Sequence, residues 1–195
     1  RYGMLDSLDA KKISEALKIL ERPTKQNAIR IMYLTHSALI NEFLGRYEEA
    51  KKNYLKIQGI QSQLSLRTVQ LLGKLYERSG DKNKAKELYE DHLLEHPDTQ
   101  LLDLLLKRVN SRDDEILESF KIIDGAAEVL FGISSLLRLQ EDQETPLILG
   151  RLAIYLKPNF PIMQILLGDI LESANRFDVA LDIYQSIPVA SSFSW

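Results

Sequence analysis

Two histidines one helical turn apart are the residues of this sequence whose spacing comes nearest to a site for chemistry. His92 and His96 lie at i and i+4, with Asp91 and Glu95 beside them. Histidines at this spacing on one helix can hold a metal ion. The order His-Leu-Leu-Glu-His matches an inverted peptidase motif only in part, since that motif needs a further carboxylate and its own fold. The alternative is a polar helix end, where histidine favours the C-terminal dipole. We adopt that alternative and predict no metal site.

The other polar residues form no recognisable catalytic motif. His36 lies in an apolar helical stretch and is interpreted as a core or groove residue. The acidic run at 111–115 lacks the alternating ligands of a calcium loop, so it is interpreted as a solvated loop. The sequence contains no Gly-x-Ser-x-Gly elbow, P-loop lysine motif or dinucleotide-binding glycine pattern. It therefore predicts no catalytic residues, no cofactor and no enzymatic activity.

The composition predicts that several other kinds of site and partner are absent. The chain has 195 residues, a net charge of -3, 45% hydrophobic residues and no cysteine. Without cysteine there is neither a disulfide framework nor a thiolate metal site. Lysine and arginine are spread along the chain, so no basic block predicts binding to nucleic acid or to an anionic membrane. No apolar run approaches the roughly 18 residues that span a bilayer, and no membrane insertion is predicted within this segment.

The apolar residues recur at spacings of three and four, which is typical of helices. The pattern predicts an all-α chain, and links of about two to five residues favour antiparallel helical hairpins. Thr24, Asp81 and Asp98 are predicted N-caps, because a short side-chain oxygen can accept from a free backbone N–H there. The predicted helices lie near 8–21, 25–44, 47–58, 63–79, 82–95, 99–109, 114–121, 124–140, 145–157, 161–174 and 177–187.

A turn residue, an alanine and a tyrosine recur at constant offsets along the chain. The small residues at 73, 85 and 168 let two helices approach closely, and Tyr76, Tyr89 and Tyr184 are expected to fill gaps between hairpins. Glycine at the turn suits the left-handed backbone that ends a helix. The three copies are Gly45, Ala50 and Tyr54, then Gly80, Ala85 and Tyr89 at a distance of 35 residues, and finally Asn175, Ala180 and Tyr184.

These residues resemble the tetratricopeptide repeat, most completely over 66–99 and also over 31–64 and 161–190. The resemblance implies a right-handed superhelix of antiparallel helix hairpins, an α-solenoid, forming a single helical-repeat domain over 1–195. An irregular helical insert at 99–123 and a degenerate hairpin at 124–158 are expected to interrupt the regular stack. The residues of 66–99 that match the repeat are Leu72, Gly73, Tyr76, Gly80, Ala85, Tyr89 and Pro97.

Several segments also resemble a bacterial, alphaproteobacterial group of longer tetratricopeptide-repeat proteins. In that group a proline stands where this chain has Ser192, shortly before an aromatic residue and a tryptophan that match Phe193 and Trp195. The resemblance implies a fragment of a longer protein, located in the bacterial cytoplasm or periplasm, with the envelope favoured. The matching segments are "DGAAEVLFG", "YLKPNFP", "LLGDILE" and "YQSIP".

The resemblance also implies a concave groove, lined by the first helix of each repeat, in which a partner binds. Arg67, Lys74 and Arg78 would form a polar strip suited to an acidic or polar peptide, or else a solvated face. The apolar members would hold an amphipathic helix, or else pack inside the stack. Some family members clamp a terminal carboxylate with lysine and asparagine, but Gln70 and Lys74 occupy those positions here. The groove positions are Met32, Thr35, Leu39, Glu42, Phe43, Arg67, Gln70, Lys74, Glu77, Arg78, Ile162, Ile165, Asp169 and Glu172.

The function predicted from the sequence is that of a non-enzymatic protein–protein interaction module. It would scaffold an assembly or bind a peptide in the groove, and the partner protein is not identified by the sequence. Two alternatives stay open. One is an accessory repeat region of a larger enzyme or envelope-assembly protein. The other is a homo-oligomer in which repeat faces pair with themselves.

Overall fold

The computed structural model describes residues 12, 15–19, 24–111, 121–138 and 144–187, which form helices and turns without a strand. The all-α prediction is confirmed for this part of the chain. The predicted helix 114–121 and much of the predicted helix 8–21 lie outside the described residues. The α-helices with defined ends are α1 (Asn27–Phe43), α2 (Tyr47–Gln58), α3 (Leu66–Arg78), α4 (Lys82–Glu95), α5 (Asp103–Asn110), α6 (Ile122–Arg138), α7 (Glu144–Leu156), α8 (Pro161–Ser173) and α9 (Phe177–Gln185).

The chain divides into two compact units, 1–64 and 65–195. Successive helices pack as pairs within each unit: α1 with α2 in the first, and α3 with α4, α6 with α7 and α8 with α9 in the second. This pairing confirms the predicted run of helical hairpins. The handedness of a superhelix and the single domain over 1–195 stay predictions.

The first unit is held together by small residues and one tyrosine between α1 and α2. Ala38 on α1 and Ala50 and Tyr54 on α2 are each fully buried. The helices are also joined by a hydrogen bond of 2.9 Å from Asn53 Nδ2 to Ser37 Oγ. Small side chains at the contact allow close helix approach, and the tyrosine ring supplies most of the buried apolar surface.

In the second unit, a tyrosine ring occupies the space that a glycine leaves free. A Cβ atom added at Gly73 on α3 would overlap the ring of Tyr89 on α4, which is fully buried. The same arrangement recurs between α8 and α9, where a Cβ at Gly168 would overlap the ring of Tyr184. Each tyrosine therefore packs on the glycine of its own hairpin, a contact that differs from the predicted position in the gap between hairpins.

The turns that end the first helix of each regular hairpin share one backbone conformation. Gly45, Gly80 and Asn175 have φ values of 71°, 86° and 57°. These values lie in the left-handed region, which glycine enters without steric cost and asparagine tolerates better than most residues. The predicted role of Gly80 is confirmed, and Asn175 fills the same role in the last hairpin.

One of the three predicted N-caps is confirmed and two are wrong. Asp81 accepts a hydrogen bond of 3.4 Å from the backbone N–H of Lys84 at the start of α4. Thr24 instead accepts from the backbone N–H of Gln26, the residue that precedes α1. Asp98 lies in a turn before the 3-10 helix Gln100–Leu102, and α5 begins only after that helix. A cap that the sequence analysis missed is Ser65, which accepts from Thr68 N at the start of α3.

The stretch 99–123 was predicted as an irregular helical insert. Its described part, 99–111, contains the 3-10 helix and then α5, which packs against α4. The hairpin of α6 and α7 follows, and Gly150 on α7 lies so close to α8 that a Cβ there would overlap Met163 and Leu167. This glycine thus provides close helix packing inside the hairpin that departs from the repeat pattern. Residues of α5 and of the link between α7 and α8 lie around the same cavity as residues of α3.

Candidate functional site

A cavity of about 310 Å³ lies within the second unit, between α3, α5 and the link from α7 to α8. This volume is at the lower end of the range in which proteins hold small ligands. It combines positive charge with aliphatic surface, because three of its side chains are cationic and most of the others are apolar. Its lining residues are Arg67, Gln70, Lys74, Leu101, Leu104, Leu105, Arg108, Asn159, Phe160, Pro161 and Ile162.

The wall formed by α3 consists of polar residues on one helix face. Arg67, Gln70 and Lys74 are spaced at i, i+3 and i+7, which places them in one row. The opposite side of α3 carries the core residues Leu72 and Tyr76. The helix is therefore anchored by its apolar side and presents its polar row to the cavity.

The facing wall comes from the 3-10 helix and α5. Leu101, Leu104 and Leu105 supply its aliphatic surface, and Arg108 supplies its charge. Leu105 is largely buried, whereas Leu104 leaves 37% of its surface exposed. An exposed leucine on a cavity wall offers contact area to an apolar group of a ligand.

The link between α7 and α8 closes the third side with an aromatic ring. Phe160 is buried, and its ring centre lies 5.1 Å from Arg67 Cζ and 4.9 Å from Lys157 Nζ. Cations over an aromatic face are attracted by the quadrupole of the ring. Pro161 occupies the first turn of α8, where its fixed φ suits a helix start. The ring thus helps to place two cations at this side of the cavity.

Two of the cavity's three cations are neutralised by buried carboxylates from other helices. Arg67 binds Glu128 of α6 through two nitrogens, with Nε 2.9 Å from Oε2, and also donates to Gln70 Oε1 at 2.8 Å. Arg108 binds Glu77 through Nε at 2.9 Å and Nη2 at 2.7 Å. Paired contacts of this kind fix the arginine forks in position. Arg67 and Arg108 are therefore built into the walls.

The carboxylates of these pairs have further partners. Glu77 Oε1 also accepts from Tyr89 Oη at 2.9 Å, and Glu128 Oε1 lies 3.6 Å from Lys157 Nζ. Burial, followed by the nearby charge of Glu77, raises the pKa of Tyr89, so this phenol keeps its proton as a donor. Lys157 also contacts Asp124 at 3.4 Å. Glu128 is therefore paired with both Arg67 and Lys157, and Glu77 is paired with Arg108 and accepts a hydrogen bond from Tyr89.

Lys74 is the exception among the cationic residues of the cavity. Within the described ranges, no carboxylate lies within ion-pair distance of its ammonium group. Loss of solvation on burial lowers the pKa of Lys74 to about 7, and repulsion from Arg67 and Lys157 lowers it as well. Arg108 and Arg78 act in the same direction. A lysine that is costly to charge and lies in a cavity is a candidate for ligand binding.

The predicted groove residues fall into three groups in the structure. Arg67, Gln70, Lys74 and Ile162 line the cavity together. Five others belong to the same unit but not to its lining: Glu77, Arg78, Ile165, Asp169 and Glu172. The remaining five, Met32, Thr35, Leu39, Glu42 and Phe43, lie on α1 in the first unit.

Some of these residues have structural contacts of their own. Glu77 joins α3 to Arg108 and Tyr89, as described above. Asp169 and Glu172 on α8 accept hydrogen bonds from Tyr184 Oη at 2.9 and 3.3 Å. Leu39 and Glu42 are buried on α1. A continuous groove through both units stays a prediction.

Arg108 and Leu104 form much of the facing wall but are not among the residues predicted from the sequence. Both lie in the stretch that departs from the repeat pattern, so no groove position could be transferred to them. The spacing of Leu101, Leu104, Leu105 and Arg108 at i, i+3, i+4 and i+7 was the available signal, because it puts all four on one helix face.

The two histidines at the end of α4 contact each other without completing a metal site. The rings of His92 and His96 are 4.8 Å apart and tilted by 45°. Burial, followed by the charge of His96, lowers the pKa of His92. In the described part of the chain, no group of three or more His, Asp or Glu side chains could hold a metal ion. His36 is buried on α1.

The described fold is that of a helical-repeat protein. Its helices pair through small-residue contacts, the turns of its regular hairpins are left-handed, and its cavity lies on one face of α3, the first helix of a hairpin. The sequence model described as "Tetratricopeptide repeat" matches residues 33–63 and 66–91. The two matched segments are therefore tetratricopeptide repeats. No curated protein sequence shows a significant match to the chain. None of the helices described here is both long and apolar enough to cross a membrane.

Solved structures similar to this chain include three of the protein MamA. The structure described as "MamA MSR-1 C2" is 18% identical, covers 81% of this chain and 94% of its own, and has a TM-score of 0.35. "Crystal structure of MamA" is 14% identical over 94% of this chain and 93% of its own, with a TM-score of 0.34. MamA from Desulfovibrio magneticus RS-1 is 15% identical over 96% and 91%, with a TM-score of 0.37.

Proposed function

We propose that this chain is a non-enzymatic protein-interaction module that binds a peptide segment of a partner protein in the cavity of its second unit. A tetratricopeptide-repeat module implies protein binding in general. The observation that supports this particular site is the cavity itself, where Lys74, which has no carboxylate partner among the described residues, faces an aliphatic wall. Polar and apolar groups that converge on one concavity are the usual features of a binding site.

The cavity also suits a segment of chain better than a flat surface would. Its polar row on α3 can accept or donate hydrogen bonds through Gln70 and Lys74, while Leu104 and Ile162 can contact aliphatic side chains. An extended or helical peptide presents both kinds of group within a few residues. Both walls are fixed by ion pairs, so little ordering of the walls is needed when the partner binds.

The structure determines which variant tests the site. Charge reversal at Arg67 would set a carboxylate against Glu128 and disturb folding, because that pair is buried. Lys74→Glu breaks no ion pair between described residues and places an anion among the cations of the cavity walls. We expect this variant to fold and to lose the partner protein. The matched control is Lys107→Glu, an exposed residue on α5 outside the cavity lining.

The measurement is capture of proteins from native extract, with the bound proteins identified by mass spectrometry. We expect a protein that the wild type and Lys107→Glu retain, and that Lys74→Glu retains at least about tenfold less, as loss of a buried charge contact implies. If Lys74→Glu captures the same proteins in the same amounts, the partner binds elsewhere and the proposed site is wrong.

A further inference from the structure

We propose that the outer face of α7 binds the same face of a second copy of this chain, with the two helices antiparallel. The face, termed the α7 stripe, is formed by Ile148, Leu152 and Tyr155, which lie at i, i+4 and i+7 and therefore on one side of the helix. This inference goes beyond the proposed function, because none of the three residues lines the cavity.

The α7 stripe is the outward side of a helix that is anchored by its other side. Gly150 and Ala153 are buried, and helix geometry places them roughly opposite the stripe. On the outward side, Ile148, Leu152 and Tyr155 are 68%, 46% and 82% exposed. A helix at the surface of a hairpin normally has one apolar side and one polar side. The second apolar side of α7 therefore needs an explanation other than the packing of its own hairpin.

The regular hairpins are polar at the matching positions. Gly150 takes the place that a tyrosine has in the second helices of those hairpins, and Ile148 and Leu152 lie two residues before and after it. Among the second helices that the structure describes, only α7 is apolar at both positions, and contiguous exposed apolar surface marks interaction sites. The matching residues, all exposed, are Lys52 and Lys56 on α2, Glu87 and Asp91 on α4, and Asp182 and Ser186 on α9 and at its end.

The charges beside the α7 stripe favour a second copy as its occupant. Glu144 and Arg151 are exposed and lie along one edge of the stripe, about 10 Å apart along the helix axis. Two parallel copies would place Glu144 against Glu144 and Arg151 against Arg151. Two antiparallel copies related by a twofold axis bring the same edges together in reversed order. Each acidic end then faces the half of the other helix that carries Arg151 and Tyr155, so the surface is complementary to itself.

The apolar residues match in the same arrangement. In an antiparallel pair centred near residue 150, Ile148 lies level with Leu152 of the second copy, and symmetry repeats this contact. Tyr155 then lies level with position 145 of the second copy, where its phenol can donate to the carboxylate of Glu144. The centre of the contact is thus aliphatic, and each end has a hydrogen bond. One helix from each copy is a small interface, so we expect a dissociation constant on the order of 10 μM.

The first test is sedimentation equilibrium of the full chain between about 1 and about 300 μM, a range that spans the expected constant. Leu152→Arg puts a charge into the apolar centre, and Leu55→Arg on α2 is the matched control, since Leu55 is 44% exposed. We expect the wild type and Leu55→Arg to dimerise alike and Leu152→Arg to dimerise at least about tenfold more weakly. Circular dichroism and the urea midpoint check that both variants fold.

The second test determines the orientation of the two helices. The chain has no cysteine, so Ile148→Cys and Leu152→Cys each introduce a single thiol. A disulfide requires Cα atoms within about 7 Å. The antiparallel arrangement predicts that a mixture of the two variants forms a disulfide between copies several-fold faster than either variant alone. Faster reaction of either variant with itself would overturn the antiparallel arrangement.

The remaining outcomes also decide the inference. A wild type that stays monomeric at the highest concentration, or Leu152→Arg that dimerises like the wild type, overturns it. A monomeric wild type with a lower urea midpoint in Leu152→Arg means that another part of the same chain covers the stripe. A monomeric wild type whose captured protein is lost by Leu152→Arg means that a different protein occupies it. Both results exclude the second copy.

The Lys74→Glu variant keeps this inference separate from the proposed function. Position 74 lines the cavity and does not belong to the α7 stripe, so Lys74→Glu should dimerise like the wild type. Loss of a captured partner by Lys74→Glu tests only the cavity. If Lys74→Glu abolishes the dimer while Leu152→Arg leaves it intact, the second copy binds elsewhere and the inference is wrong.

Discussion

Replacing Glu77 with alanine is expected to lower the free energy of unfolding by about 3–5 kcal/mol, the range found when one partner of a buried ion pair is removed. The side chain of Glu77 is 3% exposed and accepts three hydrogen bonds, two from Arg108 and one from Tyr89. Its loss would leave the buried phenol without this acceptor and would remove the pair that joins α3 to α5. Urea denaturation followed by the helical circular dichroism signal measures the change.

Two variants separate this effect from a general loss of charge. Glu87→Ala changes an exposed carboxylate on α4, and we expect it to alter stability by less than about 0.5 kcal/mol. Tyr89→Phe removes only the hydroxyl, so it should cost about 1–2 kcal/mol. If Glu77→Ala is no more destabilising than Glu87→Ala, the pair with Arg108 does not hold α5 in place, and the cavity wall needs another explanation.

Replacing Gly73 with alanine is expected to destabilise the second unit by about 1–3 kcal/mol, although alanine is the better helix former. The new Cβ would overlap the ring of Tyr89, which is fully buried and cannot move without disturbing its bond to Glu77. Relief would require α3 and α4 to separate. The same urea titration measures the cost, and loss of tyrosine near-ultraviolet dichroism would report the loosened ring.

A matched glycine and a second substitution test this explanation. At Gly59, an added Cβ would meet only Lys56 O, at an ordinary 3.5 Å, so Gly59→Ala should be neutral or slightly stabilising. In a Tyr89→Leu background, the ring is absent, so the further cost of Gly73→Ala should largely disappear. Equal effects of alanine at positions 73 and 59 would contradict the proposed ring-on-glycine contact.

The repeat pattern predicted the fold well because its residues act locally. Gly80 ends a helix, Ala85 allows close approach and Tyr89 is buried, all within one hairpin of the chain. Asn175 takes the left-handed conformation expected of a glycine, as its offset from Ala180 and Tyr184 indicated. The N-caps were predicted less well, because a short polar residue near a helix start is common and only the local backbone decides which one bonds.

Only the cavity wall formed by α3 could be predicted from the sequence. The groove positions of the repeat identified Arg67, Gln70 and Lys74, which do line it. The partners that decide their roles are distant in sequence: Glu128 lies 61 residues from Arg67, and Arg108 lies 31 residues from Glu77. No helical periodicity encodes such pairs. The sequence therefore could not show that Arg67 is neutralised by Glu128, or that Lys74 has no carboxylate partner among the described residues. It also could not show that Glu77 is structural and absent from the lining.

These pairings also change how the three basic residues of the predicted strip are understood. Arg67 and Lys74 line the cavity, but only Lys74 lacks a carboxylate partner in the described residues. Arg78 contributes to the positive field that lowers the pKa of Lys74, without lining the cavity. The predicted strip therefore does not act as one uniform basic surface. Lys74 is a single cation near arginines whose positions are fixed by carboxylates. That arrangement favours recognition of one anionic group over general attraction to acidic surfaces.

Site-specific photo-crosslinking tests most directly whether the partner occupies this cavity. A diazirine amino acid would replace Leu104 on the cavity wall in one protein and Leu94, an exposed leucine of α4 outside the lining, in another. The account predicts a crosslinked partner from position 104 and none from position 94, with the adduct reduced at least about tenfold by Lys74→Glu. Equal adducts from both positions, or an adduct from position 104 that Lys74→Glu leaves unchanged, would contradict it.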